Sequence, residues 1–475
     1  MVTVTFAYDT HKDAVSGGKI EVTTDGRVMD AKENSDGMVY ELPAGYSYAY
    51  KFTSGNYARQ TGTIDLTAVT EKQDKGIELP MQEKTAWEGA DDITEPSTDA
   101  DGVYQISSGS ELAWLAQQIN SGKNAACKAV LTKDIDLGGK DNWTPIGIKK
   151  GYSTYAFKGQ FDGQGHKIER IYIDSTSEYQ GLFGSVDSAT IRNVTLTGQI
   201  KGGNNTAGIA AYFAGASTIE KCINKASVAG GNNVGGIVGN VSTSTQKNIR
   251  EAVNEGNLSG ANNVGGIVGY AYYKCTVEYC YNRGDVSVSG EKAGGIVGYM
   301  DDSNAEFRNC YTTGIVSGKS KCMPVVGMKS SGKISGCYYL DTLGTDTDTN
   351  TTPKTSDELK ALASALGGEF IQAPEGVNDG YPILKFQIPT YDVRFTVNDE
   401  NATVSIDGQE GNHAGNIWSF KLPDGTYRYI AFSYGMLSQE ENFTVQGAGI
   451  EKTLNLEKAP TKQVTFDIKP SDADV

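Results

Sequence analysis

The chain has 475 residues, which exceeds the size of one ordinary hydrophobic core and predicts about two to four domains. Its 58 acidic residues outnumber its 42 basic ones and give a formal net charge of −16, which disfavours nucleic acid and anionic membranes as partners. Glycine occupies 58 positions and proline only 12; since the glycines lack the period of collagen, their excess predicts many tight turns.

Neither a signal peptide nor a membrane span is visible in the sequence. The best apolar run, residues 207–216, is far shorter than the roughly 18 residues that a membrane helix needs. The chain starts directly with the alternating Val-Thr-Val-Thr-Phe at 2–6, without the charged and apolar regions of a leader. We therefore expect no membrane insertion, and either a cytoplasmic location or export with the leader and anchor outside this fragment.

Residues 1–83 predict a small β-sandwich. Alternating strands flank a Leu-Pro-Ala-Gly turn at 42–45, and the segment ends in a short strand at 77–79. The segment resembles the immunoglobulin-like or PEGA-like modules of bacterial surface proteins. Residues 84–100, which include Asp91, Asp92, Glu95 and Asp99, are predicted to be an acidic linker.

The middle of the chain repeats itself. Val-Gly-Gly-Ile-Val-Gly occurs at 234–239 and 264–269, and Ala-Gly-Gly-Ile-Val-Gly follows at 293–298, a period of 30 and then 29 residues. A unit this small cannot bury its own apolar face, so successive units must stack. Short β-type segments between Gly, Asn and Ser turns predict an all-β fold whose centre is a parallel β-helix.

A second short segment recurs about 14 residues after each copy of the glycine motif. In the predicted stack the first residues of these segments form one internal ladder with a spacing of about 4.8 Å. The ladder residues are Cys222, Ala252, Cys280, Cys310 and Cys337. We interpret these cysteines as small apolar fillers and not as disulfides or metal ligands, because adjacent rungs face along the stack and no CxxC pair occurs. The sequence predicts no cofactor and no metal.

Several of these segments resemble the GLUG repeat. Glu-Tyr-Cys-Tyr-Asn-Arg-Gly-Asp-Val at 278–286 and Phe-Arg-Asn-Cys-Tyr-Thr-Thr-Gly-Ile-Val at 307–316 carry the resemblance, together with Asp-Gly-Gln-Gly-His at 162–166 in the entry region. The resemblance extends over residues 101–388 and implies a right-handed parallel β-helix. It also implies a secreted or wall-attached protein of a Gram-positive bacterium, since such repeats form the non-catalytic part of immunoglobulin-A peptidases.

Both ends of the predicted solenoid offer an amphipathic helix as a cap, near 110–120 with Ser110 as its N-cap, and at 357–366. Beyond the second cap, residues 391–458 repeat the pattern of the first module, including a Leu-Pro-Asp-Gly turn at 422–425, and predict a second immunoglobulin-like sandwich. A truncated third module is predicted to begin at 463–475, which makes the chain a fragment of a longer modular protein.

Catalytic patterns are scarce. The three histidines are His11, His166 and His413, without an HExxH motif, and His166 is interpreted as a turn residue. Asp134 and Asp136 share a face by strand alternation, but we interpret them as a solvated outer face and not as the carboxyl pair of a glycosidase. Asp341, Asp346 and Asp348 form a polar loop, with weak calcium binding as the open alternative.

The 26 tyrosines provide the candidate binding residues, namely Tyr272, Tyr273, Tyr338 and Tyr339. If strand alternation holds, one ring of each pair points outward and could stack on sugars or dock a protein; general surface cover is the alternative. The first functional hypothesis is a non-enzymatic surface protein that binds a host glycan or a matrix protein. A carbohydrate-active enzyme (a polysaccharide lyase or glycosidase) and a host-protein-binding accessory region of a larger enzyme are the alternatives.

Overall fold

The computed structural model describes residues 1–8, 18–31, 39–54, 57–80, 82–150 and 153–461. The chain divides into two compact units, Met1–Ile383 and Leu384–Val475. The predicted start of a third module at 463–475 lies outside the described residues. Within the described part of the chain, no helix has the length and apolarity required to cross a bilayer.

The centre of the first unit is a parallel β-helix with three walls, as the sequence predicts. Wall A is a six-stranded sheet of Phe183–Asp187, Ala210–Ala214, Val238–Val241, Val268–Ala271, Val297–Met300 and Val326–Lys329. Wall B is a five-stranded sheet of Thr206–Ala207, Asn232–Gly235, Asn262–Gly265, Glu291–Gly294 and Ser320–Met323.

Wall C is the longest sheet and bends along each coil. It begins with Ser97–Thr98, Tyr104–Ile106, Lys128–Leu131, Ile135–Asp136, Gln160–Asp162, Lys167–Asp174, Thr190–Arg192, Thr195–Lys201, Thr218–Glu220, Ile223–Asn224 and Ser227–Ala229. It continues with Lys247–Arg250, Val253–Asn254, Leu258–Gly260, Cys275–Glu278, Tyr281–Asn282, Val286–Val288, Glu306–Thr312, Val316–Ser317, Lys333–Leu340 and Thr351–Lys354.

The glycine pairs of the repeat lie where neighbouring coils approach each other most closely. Val234 pairs with Val264 and Val264 with Ala293, so the three motif copies stack in register. A Cβ atom on Gly266 would lie 1.9 Å from the carbonyl oxygen of Gly295 in the next coil, a distance that no side chain can occupy. The glycines are therefore required by backbone contact between coils, while the motif valines fill the core.

Two ladders run through the interior of the solenoid. The predicted ladder residues occupy successive coils and are all buried: Cys222, Ala252, Cys280, Cys310 and Cys337. Two positions further along the chain, Asn224, Asn254, Asn282 and Thr312 are also fully buried. The Asn224 amide donates to Asn254 at 2.8 Å, the Asn254 amide to Asn282 at 2.7 Å and the Asn282 amide to Thr312 at 3.2 Å. This asparagine ladder links four coils by side-chain hydrogen bonds.

The N-terminal end of the solenoid is covered by the helix Gly109–Asn120. Its buried face, which includes Leu112 and Leu115, belongs to the same apolar cluster as the first coils. The N-cap is Ser108, which accepts a hydrogen bond from the Glu111 amide, and not Ser110 as the sequence suggested. The hydroxyl of Ser110 is taken up by a hydrogen bond to Asp92.

Residues 84–100, predicted to be an acidic linker, make packed contacts with this end of the solenoid. The Trp87 ring is 3% exposed and packs edge-to-face on Trp143, with ring centroids 5.4 Å apart. The Trp87 amide donates to the carbonyl of Asp136 in wall C. Burial of the Trp87 ring stabilises the folded form of this acidic segment. The charge of the segment does not predict that burial.

The residues that follow the last strand of wall C pack beside that wall, where Phe370 lies against the rings of Tyr281 and Tyr311. The predicted cap at 357–366 consists of two short helices, Ser356–Lys360 and Ala363–Leu366. The first begins with a capping box between Thr355 and Glu358. The other short elements of this part of the chain are Asp341–Leu343, which precedes the last strand of wall C, and Phe370–Ile371, Asn378–Gly380, Ile383–Leu384 and Lys385–Gln387, which follow the two helices. A small hairpin, Ile148–Lys150 with Ser153–Tyr155, projects near the N-terminal end of the solenoid.

The first sandwich consists of two sheets that enclose their own apolar cluster. One sheet contains Val2–Tyr8, Val39–Leu42 and Asp74–Leu79, and the other contains Lys19–Thr24, Arg27–Val28, Ser47–Thr53 and Gln60–Asp65. The cluster includes Phe6, Tyr48 and Phe52.

The second unit is also a two-sheet sandwich. One sheet contains Tyr391–Val397, Asn412–Ala414, Ile417–Leu422 and Ile450–Leu454, and the other contains Thr403–Ile406, Gln409–Glu410, Gly425–Phe432 and Gln439–Val445. In both sandwiches the first strand pairs in parallel with the last. The hydroxyl groups of Tyr48 and Tyr427 donate hydrogen bonds to the carbonyl oxygens of Pro43 and Pro423, the prolines of the two Leu-Pro turns, at 2.8 and 3.0 Å. The shared strand pairing and tyrosine contact fit the predicted duplication.

Candidate binding surface

A row of alternating charges runs along the outer surface of wall C. Backbone pairing places six residues on successive coils, in the order Asp162, Arg192, Glu220, Arg250, Glu278 and Arg308. We call this row the charge ladder. Each guanidinium Nε atom donates to the carboxylate of the preceding coil at 2.8–2.9 Å. These hydrogen bonds raise the pKa of Arg250 and Arg308 above the usual arginine value, so these two guanidinium groups are charged at any physiological pH.

The carboxylates considered in the sequence analysis also have basic partners. Asp134 accepts from the His166 ring at 3.1 Å and from the Lys167 amide. Asp136 accepts from Arg170 Nε at 2.8 Å, and Asp162 belongs to the charge ladder. These hydrogen bonds engage carboxylate oxygens that a glycosidase would direct at its substrate. His166 lies in the turn as predicted, and its ring is hydrogen-bonded to Asp134.

The polar loop at 341–348 serves to close the last coil. The buried carboxylate of Asp346 accepts hydrogen bonds from the amides of Val325 and Val326, at 2.8 and 3.1 Å, and from the Asp348 amide. Burial raises the pKa of Asp346. Asp348 forms an ion pair with Lys329. These contacts engage the carboxylates of Asp346 and Asp348, and the described residues contain no cluster of potential metal ligands.

The thiols lack the properties of reactive groups. All seven cysteines are free, and burial raises the pKa of Cys222 and Cys275 to about 12. A thiol with such a pKa is not ionised near neutrality and is neither a good nucleophile nor a ready metal ligand.

Wall A carries four neighbouring tyrosines, which we call the tyrosine cluster: Tyr270, Tyr272, Tyr273 and Tyr299. Tyr270 and Tyr299 pair on adjacent coils, and their rings stack with centroids 5.0 Å apart and planes 4° from parallel. The ring centroid of Tyr272 lies 5.3 Å from that of Tyr270 and 4.5 Å from that of Tyr273. Tyr272 is 47% exposed, so it offers the most open ring of the cluster.

Polar contacts hold the cluster in place. The Tyr270 hydroxyl donates to Asp301 at 3.2 Å, and the Tyr299 hydroxyl lies 2.9 Å from the Ser330 hydroxyl. The Lys292 ammonium group lies 4.2 Å from the ring centroid of Tyr299. Burial, together with the nearby Asp301 charge, raises the pKa of Tyr270 well above its usual value. The cluster therefore presents phenol rings that polar contacts hold in place, with the Lys292 ammonium group beside Tyr299.

The structure does not bring the four predicted tyrosines together. Tyr272 and Tyr273 belong to the cluster on wall A, whereas Tyr338 and Tyr339 lie in the wall C strand Lys333–Leu340. Tyr338 is half-buried, and Tyr339 faces the core at 3% exposure, where its hydroxyl accepts from the Asp346 amide. Strand alternation thus points one ring of that pair outward, but away from wall A.

Sequence reasoning missed Tyr270 and Tyr299. Both occupy the residue that follows the glycine of the Ile-Val-Gly motif in consecutive repeats. Aligning the repeats shows the pair, because equivalent residues of stacked coils are neighbours in space.

Comparisons with known proteins concern mainly the solenoid. Residues 260–287 match the model of the GLUG motif, which confirms the resemblance for the coil that carries Tyr270, Tyr272 and Tyr273. A stretch of 93 residues is 34% identical to halomucin of Haloquadratum walsbyi (strain DSM 16790 / HBSQ001). That stretch is 19% of this chain, which matches about 1% of the length of halomucin.

A solved structure of a candidate immunoglobulin A1 protease from Bacteroides ovatus superposes with a TM-score of 0.44 at 17% identity. The superposition covers 62% of this chain and 96% of that chain.

Proposed function

We propose that this chain is a non-enzymatic, extracellular part of a modular bacterial surface or secreted protein. In this proposal the β-helix is a rigid support that presents the tyrosine cluster to a ligand, and the sandwiches act as stalk modules. The observation that carries the proposal is the cluster itself, in which the exposed Tyr272 ring packs against Tyr270 and Tyr270 stacks on Tyr299.

The physical basis for binding is a preformed aromatic surface. Tyrosine supplies a large apolar face and a hydroxyl group on a side chain with few rotatable bonds. The contacts of Tyr270 with Asp301 and of Tyr299 with Ser330 fix the supporting rings before a ligand arrives, which reduces the entropy lost on binding. A host glycan or an extracellular-matrix protein suits such a surface. Several shallow contacts of this kind would act together by multivalency.

Two observations support a non-enzymatic role. Five carboxylates of the solenoid are paired with a histidine or an arginine, which disfavours the acid and base functions of a glycosidase at these residues: Asp134, Asp136, Asp162, Glu220 and Glu278. Burial raises the pKa of Cys222 and Cys275, which disfavours catalysis by these two thiols. The extracellular location rests on the GLUG motif at 260–287 and on the secreted and wall-attached proteins in which such repeats are found.

The test is a binding array of glycans and matrix proteins, probed with the 475-residue chain, with a reducing-end release assay on every ligand that binds. We expect binding without release of sugar ends. The variant Tyr272→Ala should weaken binding roughly tenfold, as expected for the loss of a central aromatic contact. Tyr155→Ala is the matched control, because Tyr155 is 41% exposed and lies outside the cluster.

Three results would contradict the proposal. Release of sugar ends would establish an enzyme. Equal loss of binding in Tyr272→Ala and Tyr155→Ala would show that the tyrosine cluster is not the contact surface. Binding to no member of the array at millimolar concentration would remove the adhesin role.

A further inference from the structure

An open groove runs along the solenoid axis on wall C, on a different wall from the tyrosine cluster. Its volume is about 580 Å3, and it crosses strands of successive coils from Lys167–Asp174 to Val286–Val288. A second groove of about 670 Å3 continues it and shares Ile173 and Asp174 with it. We call the first of these, which lies on the regular coils, the axial groove.

The floor of the axial groove consists of outward side chains in register. In one row, Tyr172 pairs with Gln199 and Gln199 pairs with Ser227. Asn257 and Asp285 continue this row on the next two coils, because they directly precede Leu258 and Val286, which pair in the series Val228, Leu258 and Val286. A second row contains Ser259 and Ser287, which also pair. Since adjacent strands are about 4.8 Å apart, five coils give a floor roughly 19 Å long.

Several polar groups of this floor have no protein partner in the described part of the chain. The Gln199 amide and the hydroxyls of Ser227 and Ser259 are exposed and form no side-chain hydrogen bond there. Asn257 accepts from the Asp285 backbone amide through its oxygen, which leaves its NH2 group free to donate. Donors and acceptors are therefore offered to solvent on consecutive coils along one line.

The ligand must be recognised through side chains. The groove lies on the face of a sheet whose inner strands are paired on both sides, as Ser227–Ala229 is with Thr195–Lys201 and with Leu258–Gly260. An added peptide strand needs the free backbone groups of a sheet edge, and this face offers none. Regularly spaced hydroxyls and amides instead match a ligand that carries hydroxyl groups along its whole length.

The charged residues that line the axial groove are Asp174, Lys201 and Asp285, so acidic side chains outnumber basic ones there. Lys201 forms an ion pair with Asp174 at 2.9 Å, and the Asp285 carboxylate accepts from the backbone amide of Ile315 at 2.9 Å. No excess of cations is present to attract a polyanion. A nucleic acid or a polyuronate is therefore disfavoured relative to a neutral chain.

We propose that the axial groove binds an extended, neutral glycan chain of several sugar units laid along the solenoid axis. Gln199, Ser227, Asn257 and Ser259 bind its hydroxyl groups, and the half-buried ring of Tyr172 packs against a sugar face at one end. Apolar sugar faces pack well on aromatic rings, whose hydroxyls can bind at the rim. This site does not depend on the tyrosine cluster, since the two lie on different walls.

The test measures binding of the whole chain to cello-, manno- and xylo-oligosaccharides from disaccharide to hexasaccharide by calorimetry, with polygalacturonate as the anionic probe. Affinity for one neutral series should increase with length and then level off when the groove is filled. Ser227→Arg and Ser259→Arg fill the floor from exposed positions and should each weaken binding roughly tenfold or more, which corresponds to about 1.4 kcal/mol. Gln199→Ala removes one amide without adding bulk and should weaken binding to a smaller extent.

Ser320→Arg is the matched control, because Ser320 is an exposed serine in a wall B strand; together with Tyr272→Ala it should leave oligosaccharide binding unchanged. Loss of binding in Tyr272→Ala with unaffected groove variants would place the glycan on the tyrosine cluster and overturn the groove site alone. Salt-sensitive binding of polygalacturonate in preference to the neutral series, or binding to none of the oligosaccharides, would also overturn it.

Discussion

Asn254 shows how a single polar residue can hold stacked coils together. It accepts from the Asn224 amide at 2.8 Å and donates both to Asn282 at 2.7 Å and to the Gly256 carbonyl at 2.8 Å. All three asparagines are fully buried. Removing the middle amide takes away the acceptor of the Asn224 amide and the donor to two acceptors, the Asn282 side-chain oxygen and the Gly256 carbonyl. Such groups are expensive to bury unpaired.

Asn254→Ala should therefore lower the free energy of unfolding by about 2–4 kcal/mol, as measured by urea denaturation. Asn248→Ala is the control, because Asn248 lies on the exposed side of a neighbouring strand, where a substitution changes stability by less than about 0.5 kcal/mol. Equal effects of the two substitutions would show that the ladder does not stabilise the stack.

Lys247 is a charged residue buried in the core, and its presence makes stability depend on pH. Its side chain is 0% exposed and donates to the carbonyls of Thr243 and Thr245, and it pairs in register with Cys275. Burial lowers the pKa of Lys247 from 10.5 to about 8. Between these two values the unfolded chain binds more protons at this group than the folded chain does, so its contribution makes stability rise with pH.

Lys247→Met should raise the free energy of unfolding at pH 7 by about 1–2 kcal/mol, because an apolar chain of similar length replaces a buried charge. The advantage over the wild type should be constant below pH 8 and should shrink as the pH rises toward 10.5. Denaturant titrations of both proteins at several pH values measure this difference. Lys225→Met, which removes a half-exposed lysine paired with Glu255, should show no such trend, and a pH-independent difference for Lys247→Met would contradict the assignment.

The sequence predicted the cysteine positions but not the asparagine ladder beside them. A small apolar residue at a fixed phase of the repeat already indicates burial. An asparagine at a fixed position of the repeat is equally typical of a turn. Only the register of neighbouring coils shows that the asparagine side chains hydrogen-bond from one coil to the next. The four candidate tyrosines lie on two different walls for a similar reason, because the bends between strands decide whether a ring lies on wall A or wall C.

At the scale of elements, the charge ladder is the clearest feature that the sequence concealed. Its members are 28–30 residues apart along the chain, so the alternation of sign appears only when the coils are aligned. Opposite charges on directly paired strand positions stabilise a sheet by about 0.2–1 kcal/mol per pair, and like charges destabilise it by similar amounts. The ladder therefore favours the observed register over a shift by one coil, which would place like charges together.

Glu220→Arg would place three arginines on consecutive coils, at 192, 220 and 250. We expect a lower midpoint of thermal unfolding, and part of the loss should be recovered in 1 M salt because screening weakens repulsion between exposed charges. Glu220→Gln removes the attraction without adding repulsion, so it should cause a smaller loss with little response to salt. Equal losses in both variants, independent of salt, would show that packing rather than charge is responsible.

At the scale of the first unit, the sequence predicted two folded bodies joined by a linker, and the structure places a packed joint there. Repeat period, glycine spacing and strand alternation were sufficient to predict the β-helix and the sandwiches, because these patterns follow from stacking and strand geometry. The joint could not be predicted in this way. Its order depends on long-range contacts of Trp87 and Asp92, which no local pattern encodes.

Asp92 lies at the centre of this joint. Its carboxylate pairs with Lys84 at 2.6 Å and accepts from the Ser110 hydroxyl at 2.5 Å and from the Glu88 amide at 3.0 Å. Lys84 also donates to the carbonyl of Ser54 in the first sandwich. Both charged side chains are at least nine-tenths buried, so one ion pair connects the sandwich, residues 84–92 and the cap helix Gly109–Asn120.

Breaking this pair should open the joint while leaving the bodies on either side folded. Asp92→Ala leaves the Lys84 ammonium group buried without a counter-charge, and removing one partner of a buried pair typically destabilises a protein by about 3–5 kcal/mol. We therefore expect much faster proteolysis and hydrogen exchange within residues 84–100, with protection of the wall A strands unchanged. Asp91→Ala removes a neighbouring carboxylate whose side chain is 68% exposed in its pair with Lys51, and it should leave the joint protected. If both variants resist proteolysis as the wild type does, the apolar contacts of Trp87 hold the joint without the ion pair.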